Sequence, residues 1–243
     1  MSRTITPLGV TMSVRDMQPF KYWWEQITDI DKLLIKNYVH HKAHDIARKY
    51  FLEHKEYTHL IFLAEDVLNT SDMVKLAIKD VEEYDFPVLC GYSNFDWRHD
   101  WVNITLKDLS KFYVHNAEQY GFINPYDIFK GKYNFPFQQV FFQGLSLAVI
   151  RRDVIERIPF RAYKERHSPY NVKRFGINKP FGVMFDLAFC IDCHKSNIPI
   201  ICDLRLFVIH GGVTVDLIDV RNKEKYVEFY GKYPNNKEPK RVF

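Results

Sequence analysis

The sequence predicts an α/β domain built on a mainly parallel sheet covered by helices on both faces. Two observations carry this: short apolar runs with Val- and Ile-rich cores recur along the chain, and stretches with helical apolar spacing lie between them. Strands that alternate with helices are joined by crossovers, which cover both faces of a parallel sheet and bury its strands.

Leu8 to Val14 (LGVTMSV) and Lys32 to Ile35 (KLLI) read as short strands, and PFKYWWEQI between them has helical spacing, giving a β-α-β start. In HHKAHDIARKYFLEHKEY, Ala43, Ile46, Ala47, Tyr50 and Phe51 fall on one helical face, and the strand HLIFLA follows from His59. That strand ends in two adjacent acids, Glu65 and Asp66. Asn69, Thr70 and Ser71 then offer helix caps, Asp72 suits the positive end of the helix dipole, and Met73, Val74, Ala77, Ile78 and Val81 form an apolar face. The strand FPVLCGY comes next.

From Asn94 to Phe142 the periodicity breaks into aromatic-rich sequence such as FDWRHDWVNIT, and a long irregular insert in a compact domain is often functional. Regularity returns with GLSLAVI as a strand and RRDVIERI as a helix. The helix VMFDLAFCIDCHKS stops near Asn197 and Pro199, and the strand IPIICDLRLFVI then runs to His210 and two glycines. The expected organisation is one domain over 1–220, with its insert at about 94–142, and a basic tail over 221–243.

Bulk properties narrow the classes. With 243 residues and 47% hydrophobic content the chain can bury a substantial core. No apolar stretch reaches the roughly 18–20 residues of a membrane span. MSRTITPLGV lacks the basic start and apolar core of a secretory signal, so a cytoplasmic location and reduced cysteines are expected. The segment 221–243 has seven Lys or Arg and three Glu, a net +4, which suits a solvated terminus or peripheral contact with an acidic membrane. No specific nucleic-acid partner is expected. CIDCH, from Cys190 to His194, has the spacing of a haem attachment or redox motif, but its apolar helical context makes Cys190 and Cys193 core residues.

The candidate chemistry sits at strand and helix ends. Ligands of an open parallel sheet bind beyond the carboxyl ends of its strands, and Asp66 occupies such an end. A carboxylate there stays ionised if it holds Mg²⁺ or Mn²⁺, which favour one or two carboxylates plus phosphate oxygens. His210, at another strand end, is a competent Mn²⁺ ligand. Asp186 interrupts the apolar VMFDLAFC near a helix start, where a buried charge needs a partner or a task, such as general-base work.

The order and spacing of AHDIARKYFLEHKEYTHLIFLAEDV, GLSLAVIRRDVIERI, FGVMFDLAFCIDCHKSNIPIICD and FVIH resemble a GT-A fold glycosyltransferase of the broad family-2-like kind. The resemblance implies a Rossmann-like sheet in a single domain. It implies a nucleotide-sugar donor, a glycan, lipid or protein acceptor, and a Mn²⁺ or Mg²⁺ cofactor. It makes Asp66 the last acid of an Asp-x-Asp metal motif and His210 the completing metal ligand. Arg48 would line the nucleotide, Ser13 and Arg15 would contact base or ribose, and Asp186 would be the base of an inverting transfer. Two departures stand out: Ala64 takes the first acidic place, so that either Glu65 substitutes for it or the ribose contact is lost, and Phe185 stands where many members carry a second acid. Trp97, Trp101, Tyr120, Phe122 and Tyr126 in the insert would stack on sugars or pack against the sheet. A nucleotidyltransferase and a catalytically inactive sugar-nucleotide-binding relative are the alternatives. Against the former, LGVTMSVRDMQ lacks a Gly-rich phosphate loop.

Overall fold

The computed structural model describes residues 4–13, 18–36, 40–65, 67–96, 101–108, 121–166 and 181–210. Arg15, Asp66, Trp97, Tyr120 and the basic segment 221–243, all singled out above, lie outside the described residues.

The chain begins with β1 (Pro7–Ser13), α1 (Gln18–Gln26), β2 (Asp31–Lys36), α2 (His40–Glu53) and β3 (His59–Leu63). A two-residue β4 (Val67–Leu68), α3 (Ser71–Tyr84) and β5 (Val88–Asp96) follow. The insert contributes β6 (Trp101–Val102), β7 (Ile104–Thr105), α4 (Pro125–Phe129), β8 (Phe137–Val140) and β9 (Phe142–Gln143). After it come β10 (Leu147–Arg151), α5 (Arg152–Arg157), β11 (Lys164–Arg166), β12 (Phe181–Val183), α6 (Phe185–Lys195) and β13 (Ile200–His210).

The central sheet has the order β2-β1-β3-β10-β5-β13-β4, with β6 beside β5 and β8 beside β13. Strands β2, β1, β3, β5 and β13 share one direction, while β10 and β4 run against them. This is a Rossmann-like, mainly parallel sheet in a single domain, as the sequence predicts. The reversal of β10 was not foreseen, because GLSLAVI has no feature that encodes direction.

Alternation along each strand feeds two apolar layers. Leu60 and Phe62 of β3 join α2, α5 and α6 on one face, whereas Ile61 and Leu63 join α3 and Ile27, just beyond α1, on the other. Each fully buried Leu, Ile or Val adds about 1.5–3 kcal/mol, which explains why these strands are apolar at consecutive positions. The Thr70 hydroxyl accepts from the Met73 amide and caps α3 as expected, and Asp85 closes the helix in the left-handed region at φ 53°. No helix among the described residues is long and apolar enough to cross a membrane.

Strand β13 carries an irregularity between Cys202 and Phe207, where its register with β5 shifts. Gly91 of β5 makes room for it: a Cβ there would lie 2.6 Å from the Leu206 carbonyl oxygen. The Tyr92 hydroxyl donates to the Leu204 carbonyl at 3.1 Å and fastens the bulge. Within it, Arg205 donates through Nε to Asp203 (2.9 Å) and through Nη2 to Asp80 on α3 (2.6 Å).

Two buried carboxyls thus share one guanidinium. Burial, then a hydrogen bond with Asp203, pushes Asp80 up to about 7 against the lowering pull of Arg205. The fold therefore holds a proton on Asp80 that the unfolded chain releases near 3.8. This contribution to stability is fully present below that value and is lost as pH rises through about 7. Asp80→Asn imitates the protonated carboxyl. Its melting temperature relative to wild type should rise by several degrees between pH 5 and pH 8; an unchanged difference would refute the assignment.

Candidate functional site

The five co-directional strands place their carboxyl ends along one edge, and the strand order reverses there. The chain steps from β1 out to β2, then returns past β1 to β3, so the topological switch point lies between the ends of β1 and β3. Such a switch point is where open α/β sheets take ligands. Val10 pairs with Phe62, so Ser13, the last residue of β1, and Glu65, just beyond β3, each lie three residues further on. The Glu65 side chain is buried, with 3% exposure.

Beyond β3 the chain turns back sharply, the Val67 amide donating to the Ala64 carbonyl at 3.2 Å. It re-enters the sheet as β4, antiparallel to the end of β13, with Leu68 opposite Ile209 and Val67 opposite His210. The position after Asp66 is therefore the backbone pairing partner of His210, across 143 residues of sequence (210 minus 67). Among the described residues no three His, Cys, Asp or Glu side chains form a metal-binding group.

Under this edge lies a buried polar cluster centred on Ser146, one position of the strand that GLSLAVI predicts. Ser146 leads into β10, whose reversed direction brings its amino end to the edge. The Ser146 carbonyl accepts from the Ala64 amide at 3.2 Å, next to the acidic pair. Its hydroxyl accepts from Asn103 Nδ2 at 2.7 Å and lies 3.1 Å from the Ser93 hydroxyl. Asn103 Oδ1 in turn accepts from the Ser93 amide at 2.8 Å. The insert is thereby pinned to the metal-candidate turn through buried hydrogen bonds, whose loss would strand desolvated polar atoms. Asn69 Oδ1 and Gln143 Nε2, both buried beside this cluster, have no hydrogen-bond partner among the described residues. The available signal was polarity inside apolar runs: Ser93 in FPVLCGYS and Ser146 in GLSLAVI.

Asp186 is the second residue of α6 and is half-buried. Met184, just before the helix, is held in the left-handed region at φ 57°, a strained conformation for a residue with a Cβ. One turn along the helix from Asp186, the Cys190 thiol donates to the Gln143 carbonyl at 3.7 Å, tying α6 to the segment entering β10. Asp186 Oδ1 accepts from the Leu187 amide at 2.8 Å. Burial dominates over that hydrogen bond and pushes the carboxyl up to about 6, and no cation among the described residues opposes it. A carboxylate with such a value is suited to take up a proton near neutral pH.

Arg48 does not join this group. Its guanidinium donates to the carbonyls of Ile155 (2.9 Å) and Glu156 (3.1 Å) on α5. Reciprocally, Arg152 at the start of α5 donates to the carbonyls of Phe51, in the last turn of α2, and of His54 and Tyr57 just beyond it. Each arginine thus serves the other helix's carbonyl end, and Arg48 fastens two helices in this conformation. A cavity of about 440 Å³ near Arg151, Arg152 and His59 lies at the opposite edge of the sheet. Its arginines are already committed, Arg151 to Asp153 and Asp85 and Arg152 to the carbonyls just named. Of the insert aromatics, Phe122 meets Phe142 edge-on at 6.2 Å.

No protein-family model matches the chain, and no curated protein does. Among solved structures, the chain is similar to A197 from STIV, with 21% identity, 84% of this chain and 81% of that chain covered, and a TM-score of 0.49. It is similar to CMP:2-keto-3-deoxy-manno-octonic acid synthetase complexed with CTP, with 10% identity, coverage of 92% and 98%, and a TM-score of 0.44. A third likeness is to the inositol-1-phosphate CTP transferase from T. maritima, with 8% identity, coverage of 96% and 97%, and a TM-score of 0.41.

The cluster can be probed through Gly144, where a Cβ would lie 2.4 Å from Asn103 Nδ2. Gly144→Ala should cost about 1–3 kcal/mol by overpacking. In the double variant with Asn103→Ala the two costs should fall short of additivity, measured by denaturant unfolding, and strict additivity would dissociate Gly144 from Asn103.

Proposed function

We propose that this chain is a transferase that moves a sugar from a nucleotide-diphosphate donor to an acceptor hydroxyl at the carboxyl edge of its sheet. The observation that supports it most is the pairing of Val67 with His210, which joins the turn after the acidic pair to the end of β13. Carboxylate and imidazole donors together fit Mn²⁺ or Mg²⁺, and Asp66 and His210 are the residues assigned to hold the ion. A bound cation would supply electrostatic stabilisation of the departing diphosphate. Ser13 and Arg15, at and just beyond the end of β1, are assigned to the nucleotide, and Glu65 stands in for the acid absent at Ala64.

Asp186 is assigned as the base. With its carboxyl near 6 it is mostly ionised at neutral pH, yet basic enough to accept the acceptor hydroxyl's proton as the oxygen attacks the anomeric carbon. That single displacement inverts configuration. Nucleotidyl transfer is the second reading, since the same edge and acids would serve a nucleoside triphosphate equally well. Of the structural neighbours, one is a synthetase complexed with CTP and another is a CTP transferase. Asp186 would serve as base in either reaction when the nucleophile is a hydroxyl, so the donor that the protein binds separates the two readings.

A thermal-shift panel of nucleotide sugars and nucleoside triphosphates, with and without Mn²⁺, tests the reading. A nucleotide sugar at 100 times its Kd should stabilise the protein by about 2.7 kcal/mol, and Asp66→Ala should abolish the Mn²⁺-dependent part. Stabilisation by a nucleoside triphosphate alone, with pyrophosphate release, would select nucleotidyl transfer. No stabilisation by any nucleotide would remove both readings.

With a responsive donor in hand, Asp186→Asn should retain binding but lose at least about a hundredfold in transfer rate. The wild-type rate should rise with pH through about 6 as Asp186 ionises. An unchanged rate in Asp186→Asn would eliminate the base assignment.

A further inference from the structure

Cys90 of β5 and Cys202 of β13 are register partners on adjacent parallel strands, and both belong to the same apolar layer. Their side chains therefore stand next to each other on one face, with exposures of 1% and 0%. Neighbouring strands lie about 4.8 Å apart, within the roughly 4.4–6.8 Å Cα separation that disulfides span. The two thiols interact directly, and burial together with this contact holds Cys90 well above the ordinary thiol range. The remaining cysteines are differently placed: Cys190 and Cys193 lie on α6, and the Cys190 thiol is turned to the Gln143 carbonyl.

We propose that Cys90 and Cys202 are a disulfide-forming site that staples β5 to β13 when the chain folds under oxidising conditions. The bond would close a span of 112 residues (202 minus 90) containing the insert, Ser146 and Asp186. It would also sit immediately before the β13 bulge, on the strand that carries His210 to the edge. In forming it, the two thiols lose two protons and two electrons, and one glutathione disulfide accepts them to become two glutathione thiols. The attacking species is a thiolate in contact with the oxidant, and burial closes this pair off from glutathione in the folded protein. Closure thus belongs to folding, before the helical layer covers the pair, and the same burial then shields the bond from reductants.

The test is to refold the full chain from denaturant with a glutathione redox mixture or with a phosphine reductant, then alkylate under denaturing conditions. The oxidised sample should lose about 2 Da in intact mass before alkylation, with two of the four thiols blocked to alkylation. Peptide mapping should find the cross-link between Cys90 and Cys202. Its melting temperature should exceed that of the reduced protein by roughly 5–10 °C, since closing a long loop restricts the unfolded chain. Cys190→Ala should leave that shift intact, whereas Cys90→Ser should erase it. Four alkylated thiols after oxidative refolding, a cross-link through Cys190 or Cys193, or a cross-linked protein without native circular dichroism would each overturn the proposal. These readouts come from wild type, so they decide the matter even if Cys90→Ser fails to fold.

Discussion

The reversal of β10 is the constraint on which the arrangement of the site depends. Lying antiparallel between β3 and β5, it presents its amino end where its neighbours present their carboxyl ends. Ser146 can therefore bond at once to the turn after β3, to Ser93 of β5 and to Asn103 of the insert. Were β10 parallel, the segment from Gln143 to Ser146 would enter from the other edge and this junction would not exist. The bond from the Cys190 thiol to the Gln143 carbonyl extends the same junction to α6, and so to Asp186.

Burial acts differently at the two groups of acids. Asp80 and Asp203 are enclosed with Arg205, so desolvation is partly offset by a shared guanidinium and the group serves to hold the β13 bulge. Asp186 is enclosed without a cation among the described residues, and backbone amides alone moderate the cost. The general-base reading of Asp186 rests on this raised carboxyl and on its place beside Met184, which is held in the left-handed region.

Much of this was legible in the chain. The helix caps at Thr70, the apolar faces of α2 and α3 and the paired layers around HLIFL follow from local spacing, because burial of a strand or helix face demands a periodic pattern. Other features were not legible for equally physical reasons. Ser146, Asn103 and Ser93 are ordinary polar residues whose value comes from one another, and their separations of 10 to 53 residues leave no local trace. At Arg48 the resemblance implied a nucleotide contact, while the structure shows bonds to the carbonyls of Ile155 and Glu156 that no local signal announced.

The sequence by itself determined the alternation of strands and helices, the double burial of the sheet and the presence of an acid at the end of β3. These depend on propensities and periodicities that operate within a few residues. Only the tertiary structure decided the direction of β10, the pairing of β4 with β13 and the meeting of Val67 with His210. It also decided that Cys90 and Cys202 would share a register. Such outcomes depend on hydrogen-bond partners far apart in the chain, and backbone amides and carbonyls are the same in every sequence. Side chains settle which strand can be buried; the completed sheet settles which neighbour it meets.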